Sequence, residues 1–160
     1  MNKYRLTEET KVVAGVTLHR IQSLKSFGNV TKGDLGGWIE SEANLSHSGD
    51  CWVFGDAWVF GNARVLGDAR VFGYAVVSGK AMVFGYARVF GNAWVLGDAR
   101  VFGDARVFGY AVVSGGAWVF EDAKVFEDAM VYGYAEVSGD AWVCGDARVH
   151  TGTITTGEHK

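Results

Sequence analysis

Four cationic residues recur every 18 positions in the middle of the chain: Arg70, Arg88, Arg106 and Lys124. Two residues after each of them stands an aromatic ring, at Phe72, Phe90, Phe108 and Phe126. Cationic side chains bind phosphate and carboxylate groups, and aromatic rings stack on bases, so the pattern predicts a site for an anionic ligand such as a nucleotide or nucleic acid. A second interpretation is local charge compensation, because Asp68, Asp104 and Asp122 each precede one of these cations by two residues.

Catalytic chemistry has few candidates in this sequence. The four histidines are His19, His47, His150 and His159, and no repeat or motif groups them. His47 is the best candidate for a general base, although a surface turn histidine is the simpler interpretation. The scattered histidines predict no zinc site, and the two cysteines are too far apart in sequence to form a ligand cluster or a disulfide framework. We therefore expect no metal, no cofactor and no catalytic residue.

A six-residue repeat positions all of these side chains. From Gly49 to His150 the chain forms 17 consecutive hexads of the pattern Gly-[Asp/Asn/Tyr]-Ala-x-Val-[Phe/Leu/Ser]. Gly opens 15 of them, Ala takes the third position in 16, and Val takes the fifth in all 17. Alternation places Ala and Val on one side of a short strand and the x residue on the other. Because the x residues include Arg and Glu side chains, whose charges cannot be buried without a partner, Ala and Val must point inward, and Gly forms the corner.

Side-chain character recurs every 18 residues, which indicates three hexads per coil. Residues 55–90 and 91–126 are nearly a duplication of 36 residues, or two coils. The chain is therefore predicted to be an all-β, triangular β-solenoid with 18-residue coils, and 17 hexads give about 5.7 coils.

The same period sorts the outward residues into three faces. The cations lie on the first face, and Trp58 and Trp94 lie on the second. Nine of the ten Phe take the outward sixth position of a hexad, which predicts a surface for self-association or for a partner protein. The alternative is that rings of neighbouring coils cover one another.

The two ends of the chain depart from the hexad. Residues 1–48 are predicted to be an N-terminal cap and an imperfect first coil, with two strands around a Gly turn between Lys11 and Leu18. Residues 49–150 form the solenoid, and residues 151–160 form a C-terminal tail in which Thr153 and Thr155 take the Ala and Val positions. Cys51 replaces an inward Ala and is predicted to be buried, whereas Cys144 replaces an outward Phe and is predicted to be an exposed thiol.

The hexads resemble those of the left-handed parallel β-helix of hexapeptide-repeat proteins. The segments KYRL (3–6), GDLGGWIE (33–40) and GDCWVFGDA (49–57) resemble the N-terminal module of bacterial and phage proteins of this kind, which are often labelled polymer-forming or acyltransferase-like. The resemblance implies the left hand of the coil and suggests a phage or prophage origin. It also brings in a hexapeptide-repeat acyltransferase as an alternative, although such enzymes use a projecting loop that the uninterrupted hexads lack.

Composition narrows the remaining possibilities. A length of 160 residues suits one domain, and a net charge of −3 disfavours a globally basic nucleic-acid binder. The start of the chain lacks the apolar segment of a signal peptide, and no apolar run is long enough to span a membrane, so we expect a cytoplasmic protein. We expect a non-catalytic scaffold that forms a homo-oligomer and binds a protein partner. The alternatives are an anion binder, such as an inhibitor of host defence, and an acyltransferase.

Overall fold

A computed structural model describes residues 2–160 of the chain. The chain begins with β1 (Tyr4–Val13) and β2 (Val16–Ser23), which form an antiparallel hairpin around Ala14 and Gly15, as predicted. β3 (Leu35–Ile39) pairs antiparallel with β2, and a short 3-10 helix (Glu42–Asn44) follows. Within the described residues no helix is long and apolar enough to cross a membrane.

Short strands then continue to the end of the chain. Each hexad contains one two-residue strand: β4 (Trp52–Val53), β5 (Trp58–Val59), β6 (Arg64–Val65), β7 (Arg70–Val71), β8 (Val76–Val77), β9 (Met82–Val83), β10 (Arg88–Val89), β11 (Trp94–Val95), β12 (Arg100–Val101), β13 (Arg106–Val107), β14 (Val112–Val113), β15 (Trp118–Val119), β16 (Lys124–Val125), β17 (Met130–Val131), β18 (Glu136–Val137), β19 (Trp142–Val143) and β20 (Arg148–Val149). After the hexads come β21 (Thr153–Ile154) and β22 (Glu158–His159).

Parallel pairing between every third strand builds three sheets. The first face is a seven-stranded sheet of β4, β7, β10, β13, β16, β19 and β22. The second face is a nine-stranded sheet of β1, β2, β3, β5, β8, β11, β14, β17 and β20. The third face is a six-stranded sheet of β6, β9, β12, β15, β18 and β21. Together they make seven coils, the first of which uses β3, an isolated bridge at Leu45, and β4. The predicted all-β solenoid with 18-residue coils is confirmed.

The core of the solenoid consists of the inward Ala and Val columns. Every third-position Ala from Ala57 to Ala141 and every fifth-position Val from Val53 to Val143 is at most 1% exposed. The strand register aligns each Val with the Val one coil away, as in the pairs of Val95 with Val77 and Val113. Burying one such side chain contributes about 1.5–3 kcal/mol, so stacking supplies the stability that a single hexad lacks.

The corners explain why Gly opens most hexads. At Gly91 the backbone has a φ of +69°, and an added Cβ would lie 2.9 Å from the backbone nitrogen of Gly109 in the next coil. Both the left-handed conformation and the close approach therefore make a side chain costly there. Glu121 and Glu127 take this position with φ values of 58° and 60°. Their carboxylates accept hydrogen bonds from the next coil's Gly139 N–H at 2.8 Å and Gly145 N–H at 2.6 Å, which offsets the strain.

The N-terminal end of the stack is sealed by buried contacts between the cap and the first hexad. The Lys3 side chain is fully buried, and its Nζ donates hydrogen bonds to the carbonyls of Cys51 at 2.7 Å and Gly49 at 3.2 Å. Burial lowers the pKa of the Lys3 ammonium, and the neighbouring Cys51 and Asp50 oppose that shift. The ring of Trp52 lies edge-on to those of Tyr4 and Phe27 and is almost completely buried. Cys51 is buried, as predicted.

Two predictions for the C-terminal end are wrong. Thr153 pairs with the outward Glu136 and Ile154 pairs with the inward Val137, so Ile154, and not Thr155, lies in the Val column. The segment after His150 has strands five residues apart, which shifts the register by one in each step. Cys144 is only 2% exposed because β22 pairs with β19 and places Glu158 beside its thiol, with Sγ and Oε1 3.7 Å apart.

The corner geometry yields a matched pair of substitutions. Gly55 and Gly91 have similar positive φ values, but a Cβ at Gly55 would lie no closer than 3.9 Å to its neighbour. We expect Gly55→Ala to lower the free energy of unfolding by about 1–2 kcal/mol from backbone strain alone. Gly91→Ala should lower it by roughly 1–3 kcal/mol more, because its methyl group meets the next coil. Urea denaturation followed by circular dichroism measures both, and equal losses would contradict the stacking argument.

Candidate binding surfaces

The predicted cations form a continuous column on the first face. Arg88 pairs in register with Arg70 and Arg106, and Arg106 pairs with Lys124, so each charge stands one coil, about 4.8 Å, from the next. Arg88 and Arg106 are exposed, whereas Arg70 and Lys124 are half-buried. We call these four residues the basic column.

A column of carboxylates runs beside the basic column, at the corner between the third and first faces. We call it the acidic column: Asp50, Asp68, Asp104, Asp122 and Asp140, with Tyr86 in the third coil of the series. Two grooves of about 380 and 310 Å³ lie between the columns. Across residues 2–160 the ion pairs within 4.0 Å are Arg20–Glu9, His47–Glu42 and Lys160–Glu158, and none joins the two columns. The direct compensation suggested by the sequence is therefore not made.

The Phe column flanks the basic column on its other side. Ring centroids of Phe72 and Phe90 are 4.7 Å apart, those of Phe90 and Phe108 4.9 Å, and those of Phe108 and Phe126 5.0 Å, with planes within 3° of parallel. The faces of these rings thus contact each other, and every ring is half-buried. A base has no room to insert between them, so a ligand on the first face would meet ring edges and cationic groups.

Trp58 and Trp94 lie on the second face, apart from the cations. Their column continues through Val76, Val112 and Met130, so the five outward positions from β5 to β17 carry no charge. Trp94 is 49% exposed, whereas Trp58 is half-buried, and its ring centroid lies 5.6 Å from the Lys11 ammonium of the cap. The predicted site residues therefore divide between two faces.

Sequence reasoning missed the most exposed aromatic residues of the second face. Tyr74 and Tyr110 occupy the second hexad position, for which the repeat predicts only a corner role, and each is 65% exposed. Tyr74 lines a groove of about 220 Å³ with Trp58 and Trp94, and Tyr110 lines one of about 390 Å³ with Trp94. The signal was the alternation of Asp or Asn with Tyr at this position in successive coils. We call Trp58, Tyr74, Trp94 and Tyr110 the Trp–Tyr surface.

The candidate base His47 is held on both ring nitrogens. Its Nδ1 accepts a hydrogen bond from the Lys3 backbone N–H at 3.1 Å, and its Nε2 lies 3.0 Å from a carboxylate oxygen of Glu42. The ring also stacks on Tyr4, with centroids 4.2 Å apart. An Nδ1 that accepts a hydrogen bond from the backbone leaves Nε2 as the donor to Glu42, so neither nitrogen is free to take a proton from a substrate. Within residues 2–160 no group of three His, Cys, Asp or Glu residues could hold a metal ion.

Comparisons with known proteins agree with this architecture. A family model described as the YdcK beta solenoid repeat matches residues 99–115. The chain is 36% identical over 62 residues to the Escherichia coli (strain K12) protein named uncharacterized acetyltransferase YdcK. That alignment covers 34% of this chain and 19% of the relative, so the chain spans only a small part of the protein that it matches. Both matches fit a β-solenoid repeat family, and neither tests the N-terminal motif.

The hydrogen bonds of His47 predict a structural effect of its removal. His47→Ala should lower the free energy of unfolding by about 1–3 kcal/mol, because the Lys3 N–H and the Glu42 carboxylate lose their partner. His47→Asn should lose less, since its side-chain oxygen can replace Nδ1 as the acceptor. Urea denaturation distinguishes the two, and identical losses would mean that the Nδ1 contact contributes nothing.

Proposed function

We propose that the protein is a non-catalytic scaffold that self-associates and binds a protein partner through its flat outer faces. The observation that carries this proposal is the Trp–Tyr surface, where aromatic rings project from a part of the second face whose outward strand positions carry no charge from β5 to β17. Large exposed aromatic residues are enriched at protein interfaces, and single ones scattered over a surface are not informative. Here they recur in adjacent coils, so they form one patch.

The regularity of the coils supports a scaffold rather than an enzyme. The 17 hexads run without an inserted loop, and the grooves on the first and second faces are open. The engagement of both ring nitrogens of His47 favours the same proposal, because general-base chemistry needs a free nitrogen near the substrate.

An acyltransferase remains the second candidate because one relative carries the name acetyltransferase. An acyl-CoA-dependent enzyme would be stabilised by its cofactor, since any ligand that binds the folded state raises the unfolding temperature. We expect acetyl-CoA at millimolar concentration to leave the melting temperature unchanged. A saturable thermal shift would establish acyl-CoA binding and favour the acyltransferase over the scaffold.

Partner binding is tested with the Trp–Tyr surface itself. We expect a protein from the native host to be retained by the immobilised wild-type chain and to be lost, by about tenfold or more, with Trp94→Ser/Tyr110→Ser. The matched control is Arg64→Gln/Arg100→Gln on the third face, which should retain the partner. If the purified partner binds wild type and the Trp–Tyr variant equally, the surface is not its site. If no protein is specifically retained by wild type, the partner-binding proposal fails.

A further inference from the structure

The first face has the charge pattern of a surface that pairs with a copy of itself. Its two columns run along the stack side by side, with four cations in one and five carboxylates in the other. Neither column neutralises the other by contact, because no ion pair within 4.0 Å joins them in residues 2–160. Asp68 Oδ1 accepts a hydrogen bond from the Asp50 N–H at 3.0 Å, and the Lys124 ammonium lies 5.2 Å from the centroid of the Trp142 ring. Neither contact neutralises the charge, so both columns can pair with a partner that presents the opposite order.

We propose that the first faces of two copies pair about a two-fold axis parallel to the stack, so that the basic column of each copy contacts the acidic column of the other. This inference rests on the proposed self-association and assigns it to one face. A two-fold axis midway between the columns exchanges left and right but keeps the height of every coil. The basic column of the first copy then contacts the acidic column of the second, and its acidic column contacts the second copy's basic column. Both copies therefore use the same surface, as an isologous interface requires.

The common pitch of the two copies aligns the charges level by level. Within one coil Asp68 stands beside Arg70, Asp104 beside Arg106, and Asp122 beside Lys124. The two-fold axis places each of these carboxylates opposite the same coil's cation of the second copy, giving six intermolecular pairs from three coil levels. A shift by one coil would also give six carboxylate–cation pairs. It would overlap five coil levels instead of six, and the two copies would no longer make identical contacts, so the in-register arrangement is the isologous one.

A polyanion is a poorer occupant of the same face. Five carboxylates against four cations leave the paired columns with a formal charge of −1, which repels a phosphate chain that spans several coils. The stacked Phe rings also offer only their edges to a base. A second copy satisfies both columns at once, whereas a nucleic acid would leave the carboxylates facing phosphates.

The size of the paired region sets the expected strength. Six coils at about 4.8 Å and a width of roughly 14 Å for two columns bury about 800 Å² in total, which is below the range of stable dimers. Exposed ion pairs are also individually weak and screened by salt. We therefore expect a weak dimer, formed at high micromolar concentration, whose dissociation constant rises about tenfold or more between 50 and 500 mM NaCl.

Complementary charge reversal tests the geometry. One variant carries Arg70→Glu, Arg106→Glu and Lys124→Glu, and the other carries Asp68→Lys, Asp104→Lys and Asp122→Lys. Sedimentation equilibrium at 50 mM NaCl should find each variant monomeric alone, because like charges then oppose across the axis. An equimolar mixture should form a heterodimer at least as tight as the wild-type dimer, since every level again pairs opposite charges.

Control variants restrict the effect to the first face. Arg64→Glu/Arg100→Glu on the third face should leave the wild-type dimer intact, and circular dichroism checks the fold of every variant. Should a triple reversal fail to fold, Arg70→Gln/Arg106→Gln/Lys124→Gln replaces it and should weaken the dimer about tenfold or more. A wild-type monomer under all conditions, or a dimer that both reversals leave intact, overturns the proposal. So does a mixture that stays monomeric.

Two further measurements keep the outcomes distinct. Trp94→Ser/Tyr110→Ser should still dimerise, so loss of the dimer in that variant would move self-association to the second face and overturn the pairing of first faces.

Fluorescence anisotropy with a labelled single-stranded oligonucleotide should detect no binding at 150 mM NaCl. Binding that the glutamine variant abolishes would assign the basic column to an anionic ligand instead. Failure of the charge pairing with partner capture intact would leave the partner-binding proposal standing.

Discussion

The parallel hydrogen-bond ladder between coils is the constraint on which the whole molecule depends. In one representative corner and strand, the N–H groups of Asn92, Trp94 and Leu96 donate to the carbonyls of Gly109, Ala111 and Val113 at 2.7, 3.0 and 2.8 Å. Such a ladder continues only if each coil repeats the same backbone path at the same height. An insertion between hexads is therefore compatible with the ladder only if it loops out at a corner and returns the chain to the same strand position. The positive φ at the corners, the small Ala in the interior and the columns of like residues outside all follow from this requirement.

The parts of the structure that depend on the repeat could be predicted from the sequence, and so could the hairpin around Gly15 in the cap. The contacts made where the repeat breaks could not. Alternation was enough to place Ala and Val inward, and the 18-residue period aligned Arg88 with Arg106. Ile154 was misplaced because the spacing shortens from six to five residues after His150. Cys144 was misplaced because its cover, β22, pairs through that altered register. The contact of Lys3 with His47 joins residues 44 positions apart through a non-repeating cap, for which the sequence carries no periodic signal.

The side chains on the surface of the solenoid are arranged differently from those in an enzyme pocket. A cleft collects unlike groups around one point, as catalysis requires. Stacked coils instead distribute like groups along parallel lines, so the grooves beside Arg106 and Trp94 are open and repeat along the axis. The self-stacking of Phe72 through Phe126 uses the ring faces for internal stability and leaves the basic and acidic columns and the Trp–Tyr surface as the groups with unused binding capacity.

The near-duplication of 36 residues has a consequence for the length of the molecule. One two-coil unit carries one Trp and one Tyr of the second face, as in Trp58 with Tyr74 and Trp94 with Tyr110. Gain or loss of a whole unit during gene duplication would change the stack by about 9.6 Å without altering the facing of any remaining side chain. The number of aromatic binding sites that the protein offers to a repetitive partner is thus proportional to its axial length. Gain or loss of two-coil units changes both together and leaves the interface of each unit unaltered.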